Sequence, residues 1–306
     1  MTLTDAAALL GDRARRDVPI GPLTTYRVGG RAALFVEVVD EDDLALVRGA
    51  VSATGVPVLV VGKGSNLLVA DAGFDGLVLQ LGEGHATIEV LGSLVRAGGA
   101  ASLPVVARRT AVAGLTGFEW AVGVPGSIGG AVRMNAGGHG SEMRQVVVRV
   151  RLVDLAADSD VLVDAGDLAF GYRRSAVRPS HVVVWAELAL HEGDVATSEA
   201  AIAEIVRWRR ANQPGGSNAG SVFTNPHGDS AGRVIEAAGL KGLRVGSAFV
   251  SPKHANFFQA DEGGSADDVR KLIREVQRRV EETTGVRLEP ELYMVGFGDR
   301  EREAGP

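Results

Sequence analysis

The sequence predicts an α+β fold divided into two or three lobes. Three observations carry that expectation. The first 190 residues hold six strand-like apolar runs but only two helical patterns, too few helices for a regular parallel doubly wound sheet. A long helical pattern then stops at Gln213-Pro214-Gly215-Gly216, a break in composition that marks a boundary. Beyond the break the order is loop, helix, strands, helix, strand. At 306 residues the chain is long enough for such a division and can bury a sizeable core.

In chain order, strands are expected at the strand-like runs 33–39, 57–61, 76–81, 88–97, 146–155 and 182–190. A helix at 42–52 follows an acidic start that suits the positive end of the helix dipole. A second, at 103–113, carries Pro104 in its first turn, where the missing N–H costs nothing. A third is expected at 198–211. A fourth, at 266–283, opens on Ser265 and Asp268, the spacing of a capping box. Its Val269, Leu272, Ile273, Val276 and Val280 form one apolar face. The last strand is expected at 291–297, and the polar stretch 299–306 is expected to fray.

Composition narrows the chemistry. The chain has no cysteine, so disulfides, zinc–thiolate sites, iron–sulfur clusters and a cysteine nucleophile are excluded, and a reducing compartment is expected. The six histidines (85, 139, 181, 191, 227 and 254) show no metal-ligand spacing, so no catalytic metal is expected. The opening residues lack a basic leader, and no apolar run reaches 18 residues, so neither a signal peptide nor a membrane span is expected. A net charge of −6 argues against a broad nucleic-acid-binding face. Any anionic ligand must be held by local cations and backbone N–H groups.

Two glycine-dense loops point to such a ligand. Residues 122–138 contain six glycines in seventeen positions, and Gly62-Lys63-Gly64-Ser65-Asn66 directly follows an apolar strand. Glycine lets another group approach the main chain closely, and successive N–H groups in such a turn form an anion-binding nest. Neither loop is a dinucleotide fingerprint of the Gly-x-Gly-x-x-Gly type or a Walker loop. Taken alone, each also fits a tight turn or a structural crossover. Ser127 and Asn135 add polar groups to the second loop.

Three further segments carry polar chemistry. Gly171-Tyr172-Arg173-Arg174-Ser175 is a basic turn, and arginine can hold a carboxylate or phosphate bidentately. Gly220-Ser221-Val222-Phe223-Thr224-Asn225-Pro226 places a serine outside any Gly-x-Ser-x-Gly elbow, so it is not read as a hydrolase nucleophile, but its hydroxyl can deliver a proton. Leu288-Glu289-Pro290-Glu291-Leu292 brings a glutamate into the last strand. Each of these also reads as a solvated loop or a turn when taken singly.

Together and in order, these segments resemble the UDP-N-acetylenolpyruvoylglucosamine reductase family. The resemblance is carried by 24–30, by 62–68 with Asp71 and Gly73, and by Gly117-Phe118-Glu119. It continues through 123–138, 171–175, 220–226, 237–242, 251–257 and 288–291. It implies a two-lobed FAD-binding region of the vanillyl-alcohol-oxidase type, at 1–77 and 78–208, and a C-terminal α+β substrate-binding domain at 209–296, with the 297–306 tail joined to the first lobe. It implies non-covalent FAD, NADPH as hydride donor, a nucleotide-sugar substrate, and a monomeric cytoplasmic enzyme without nucleic-acid or membrane partners. By position, Ser221 would be the proton donor, and Arg173 and Glu291 would polarise the substrate carboxyl and stabilise the enol-like intermediate. Thr25, Tyr26, Gly62, Lys63, Gly64, Ser65, Asn66 and Leu67 would bind the cofactor. So would Gly123, Pro125, Gly126, Ser127, Gly129, Gly130 and Asn135. Tyr172, Asn225, Arg209 and His254 would bind the substrate.

The resemblance departs at Thr224, where the family usually has lysine, and at His139, where tyrosine is common. The stretch between Arg173 and Ser221 is short, which resembles the branch lacking an extra substrate-capping loop. Closure would then fall to residues such as Arg207, Arg209 or Arg210. Two other readings stay open at this stage: a flavin oxidase or dehydrogenase of an alcohol or sugar, and a nucleotide-sugar binding protein without catalysis.

Overall fold

The computed structural model describes residues 2–298, and the tail 299–306 lies outside them. A first sheet has the order Arg15–Pro19, Arg31–Val38, Phe74–Leu81, Val58–Val60. Its outer pair is antiparallel and the others are parallel. Strand Arg31–Val38 is apolar almost throughout because both its faces are covered. Leu34, Val36 and Val38 pack towards helices Leu3–Leu10 and Glu41–Thr54, while Phe35 packs on the opposite side with Leu59 and Val78. Helix Glu41–Thr54 starts on Asp40, whose side chain accepts from the Asp43 N–H, and ends on Gly55 in the left-handed conformation.

A second sheet is antiparallel throughout, in the order Ser159–Asp164, Val147–Asp154, His181–Ala189, Leu94–Gly98, Ile88–Leu91. Its central strand is sandwiched. Val182 and Val184 join the core of the first sheet, while Val183, Ala186 and Leu188 join a core with helix Leu103–Val112 and with Ile202 of helix Val195–Asn212. The two sheets therefore share apolar contacts on one side and leave a cleft on the other.

The third unit packs helices Ala231–Ala237 and Ala266–Thr284 on a small antiparallel sheet, Arg244–Val245, Ala248–Val250 and Phe258–Ala260. All five apolar positions expected on the long helix are buried. It is tied to the first lobe by Asp71, which accepts hydrogen bonds from Ser265 Oγ (2.5 Å), Ala266 N (2.9 Å) and Asp267 N (3.2 Å).

The structure corrects three expectations, and two of the expected lobe boundaries fall within regular elements. Residues 88–97 form a hairpin, not one strand, because Gly92 takes φ +64° between Leu91 and Leu94, which pair with each other. The boundary at 77/78 falls inside strand Phe74–Leu81, and that at 208/209 inside helix Val195–Asn212. Both elements keep their backbone bonding across these points. The capping box at Ser265 is only half made. Ser265 Oγ accepts from Asp268 N at 3.1 Å, but the Asp268 carboxylate turns to Ser247 N (2.9 Å) and Oγ (3.0 Å). The last strand is shorter than expected, Tyr293–Val295, and pairs in parallel with Leu67–Val69 of the first lobe.

Candidate active site

Between the sheets and the third unit lies a cavity of about 480 Å³, walled by both glycine-dense loops. The first loop leaves strand Val58–Val60 and is pinned from three directions. Thr25 N donates to Gly64 O (3.2 Å), Gln80 Nε2 to Gly62 O (2.9 Å) and Asn66 Nδ2 to Glu291 O (3.2 Å). A side chain at Gly62 would put its Cβ 2.3 Å from Ser127 Oγ, and one at Gly64 would put it 2.2 Å from Leu23 O. Gly64 also has φ +58°, which an L-residue adopts at a cost of about 1–2 kcal/mol. Gly64→Ala is therefore expected to lower stability by at least about 1–2 kcal/mol and to reduce the flavin retained on purification. Urea unfolding and the flavin-to-protein ratio check this, and wild-type values for both would contradict the cradle.

The second loop closes on Ser127, which lies against Gly62 and whose Oγ accepts from Gly130 N at 3.4 Å to start helix Ile128–Arg133. The end of this helix holds the basic turn. Arg133 O accepts from Ser175 Oγ (2.8 Å), and Asn135 Nδ2 donates to Gly171 O (2.9 Å). Within the turn Gly171 and Arg174 pair, and Arg173 sits at φ +56°. That sparsely populated conformation is held by these surroundings and aims the guanidinium into the cavity.

There it meets Glu291. Arg173 Nε donates to Glu291 Oε1 at 2.8 Å, and Arg173 Nη2 to Gly137 O at 3.3 Å. Burial pushes the Glu291 carboxyl above its usual range, and the adjacent Arg173 opposes the rise. Ser221 reaches the same wall on an extended segment clamped from both sides. Val222 O accepts from Glu291 N at 2.7 Å. Buried Asn256 acts as a strand surrogate, its Oδ1 accepting from Phe223 N (2.9 Å) and its Nδ2 donating to Phe223 O (2.8 Å). Asn218 braces the approach, accepting from Gly220 N at 3.0 Å, with Gly220 at φ +75°. Among the described residues the Ser221 hydroxyl has no hydrogen-bond partner, so it is available to a ligand.

Ser221, Arg173 and Glu291 thus line one cavity together with Thr25, Gly62–Leu67, Gly123, Pro125, Gly126, Ser127, Gly130 and Arg209. Gly129 lines a second, smaller cavity of about 180 Å³ that shares part of this wall. Other expected contacts fall elsewhere. Tyr26 is fully buried in the core of the third unit with Val28 and Leu68, and Asn135 is buried as a brace between Gly171 O and Arg144 N. Tyr172 is exposed beside Arg173. Asn225 Oδ1 accepts from Ala231 N, and His254 packs on Phe257. The sequence reading did not single out Arg133, Tyr293, Asn218, Gln213 or Phe257, all of which line the cavity. Arg209 donates to Gln213 Oε1 at 2.8 Å, and burial lowers its pKa, as expected for a cation kept out of water. At the rim His139 stacks edge-on against Trp208, with ring centroids 5.1 Å apart. Thr224, by contrast, turns its Oγ1 to Glu289 O at 3.2 Å.

A cleft walled by two glycine-dense loops, with Lys63 and Arg133 on its wall and without an ion-pair partner among the described residues, fits a long, flat, phosphate-bearing cofactor. Residues 32–163 match a family model described as an FAD binding domain, and residues 212–295 match one described as the UDP-N-acetylenolpyruvoylglucosamine reductase C-terminal domain. Fold and site together define an FAD-binding oxidoreductase. A curated reductase of that name from Paramagnetospirillum magneticum is 44% identical over 92% of this chain and 91% of its own length. One from Rubrobacter xylanophilus is 41% identical over 92% and 95%. The crystal structure of the Thermus caldophilus reductase superposes with a TM-score of 0.81 at 36% identity, covering 93% of this chain and 99% of that one. The chain belongs to the UDP-N-acetylenolpyruvoylglucosamine reductase family. Among the described residues no helix is long and apolar enough to cross a membrane.

Proposed function

We propose that the chain reduces UDP-N-acetylglucosamine enolpyruvate to UDP-N-acetylmuramate at the expense of NADPH, using non-covalent FAD, in cytoplasmic peptidoglycan precursor synthesis. The observation that carries this reading is the meeting of Ser221, Arg173 and Glu291 on one wall of a cavity whose other walls are the two glycine loops. When bound, FAD would supply the hydride chemistry that links NADPH oxidation to reduction of the enolpyruvyl double bond. The Gly62–Leu67 and Gly123–Gly130 loops, which line the cavity, would hold the cofactor. Arg173 keeps its Nε on Glu291, which leaves the outer edge of the guanidinium for the substrate carboxylate. That carboxylate must accept charge as an electron-rich enol ether is attacked, and a fixed arginine lowers the cost. Ser221 Oγ then gives its proton to the carbon bearing the developing negative charge.

Arg209 and Tyr172 are assigned to the nucleotide-sugar side, and Asn225 to its diphosphate through Nδ2, with Oδ1 occupied by Ala231 N. His254 is assigned to the substrate side as well, packed on the cavity-lining Phe257. The reading divides the chain into two cofactor lobes and a substrate domain in a monomer. Stopped-flow visible absorbance tests the function. Anaerobic mixing with NADPH should bleach the flavin band, and the enolpyruvyl substrate alone should restore it. Recovery only on admitting oxygen would point instead to an oxidase, and absence of a flavin band after adding FAD would overturn the cofactor assignment.

A further inference from the structure

The larger and smaller cavities meet at a neck whose shared wall includes Gly62, Lys63, Ser127, Gly130 and Arg133. No carboxylate is common to both cavities: Glu37 and Glu83 face the smaller one and Glu291 the larger. The neck therefore carries two cations and no acid, and among the described residues neither cation has an ion-pair partner. Arg133 is the more constrained. Its guanidinium lies 4.9 Å over the Tyr293 ring, and its Nη2 is buried with no hydrogen-bond partner. A buried, unpartnered N–H of a cation costs more than a neutral one, so the native protein must recover the loss elsewhere. Stacking on Tyr293 fixes the plane of the group but cannot satisfy that N–H.

We propose that Arg133 is a diphosphate clamp, its guanidinium donating from the edge that lines both cavities to the bridge of a dinucleotide cofactor that spans the neck. The inference rests on the FAD reading above and adds one residue to it. The neck has what a diphosphate requires: the main chain of the Gly62–Lys63 turn, the Ser127 hydroxyl, and two positive charges without an ion-pair partner among the described residues. Arg133 is then a positioning residue as well as a ligand contact. Its own carbonyl anchors Ser175, two residues after Arg173, so a cofactor that fixes Arg133 also steadies the turn bearing Arg173.

The test uses the full chain stripped of flavin and titrated with FAD, riboflavin, ADP and UDP, read by flavin fluorescence and calorimetry. R133Q should weaken FAD and ADP by the same factor, about ten- to a hundredfold, while riboflavin and UDP keep their wild-type affinities. R133K, which keeps the charge but not the planar fork, should recover part of the loss. Should R133Q fail to fold, R133K carries the same test through equal weakening of FAD and ADP with riboflavin unchanged. Unchanged FAD affinity in R133Q would overturn the clamp. So would riboflavin weakening as much as FAD, which would assign Arg133 to packing on Tyr293. Weakening of UDP alone would assign it to the substrate's diphosphate and overturn the proposal. If wild-type protein takes up no FAD, the FAD reading itself fails, an outcome separable from failure in the variants.

Discussion

Ser221→Ala is expected to leave flavin reduction by NADPH close to the wild-type rate and to slow reoxidation by the enolpyruvyl substrate by about 10²–10⁴-fold, the usual contribution of a positioned general acid. The structure makes this a clean deletion. The segment bearing Ser221 is held by main chain and by Asn256, through Val222 N to Asn256 O at 2.9 Å, Phe223 N to Asn256 Oδ1 at 2.9 Å and Glu291 N to Val222 O at 2.7 Å. None of these bonds uses the Ser221 hydroxyl. Removing that oxygen leaves no buried group unpaired, so the folded state should be unchanged within about 0.5 kcal/mol. A kinetic loss without a stability loss would then report on the proton alone. Single-turnover stopped flow separates the two half-reactions. Equal slowing of both would mean that the alanine disturbs the shared pocket, and an unaffected reoxidation rate would remove Ser221 from the proton path.

What was legible in the sequence follows from how local the determining forces are. The strand at 182–190 and the helix at 266–283 were readable because one apolar run and one apolar face specify each of them. Strand Arg15–Pro19 was missed because it is a charged, exposed edge strand in which only Val18 turns partly inward. Strand Leu67–Val69 starts inside the glycine-loop segment 62–68 and has no strand pattern of its own. It exists through pairing with Tyr293–Val295, a partner no local pattern can reveal. The site divides in the same way. The glycine loops stood out by density, and the roles of Ser221, Arg173 and Glu291 were available only through family resemblance, since three separate segments supply them. Asn218 and Asn256 escaped notice because a loop asparagine has no pattern of its own; both matter through main-chain groups they meet only after folding. Arg133 escaped for a similar reason, as its unpaired Nη2 becomes informative only once it is buried. At Thr25 and Tyr26 neighbouring residues part: Thr25 lines the cavity, and the Tyr26 side chain lies in the core.

Arg173→Lys tests the other half of the chemistry, and it should lower the reoxidation rate by about 10- to 100-fold although the charge is kept. The backbone does not confound the comparison. At φ +56° lysine and arginine carry the same left-handed cost, so only the head groups differ. An ammonium can keep one contact with Glu291, but it cannot bond Glu291 Oε1 and Gly137 O while still presenting a planar edge to a carboxylate. The loss should therefore appear in the step with the enolpyruvyl substrate and spare the step with NADPH. A second variant reads the electrostatics. Burial raises the Glu291 pKa and Arg173 lowers it, so Arg173→Met removes the lowering influence and the Glu291 ionisation should move further up. At a fixed neutral pH a larger fraction of Glu291 is then protonated. The limb of the reoxidation pH profile that reports Glu291 should shift upward in the methionine variant, stay near its wild-type position in the lysine variant, and vanish in Glu291→Gln. A limb that ignores all three substitutions would show that the two groups are paired in the structure without being coupled in the reaction.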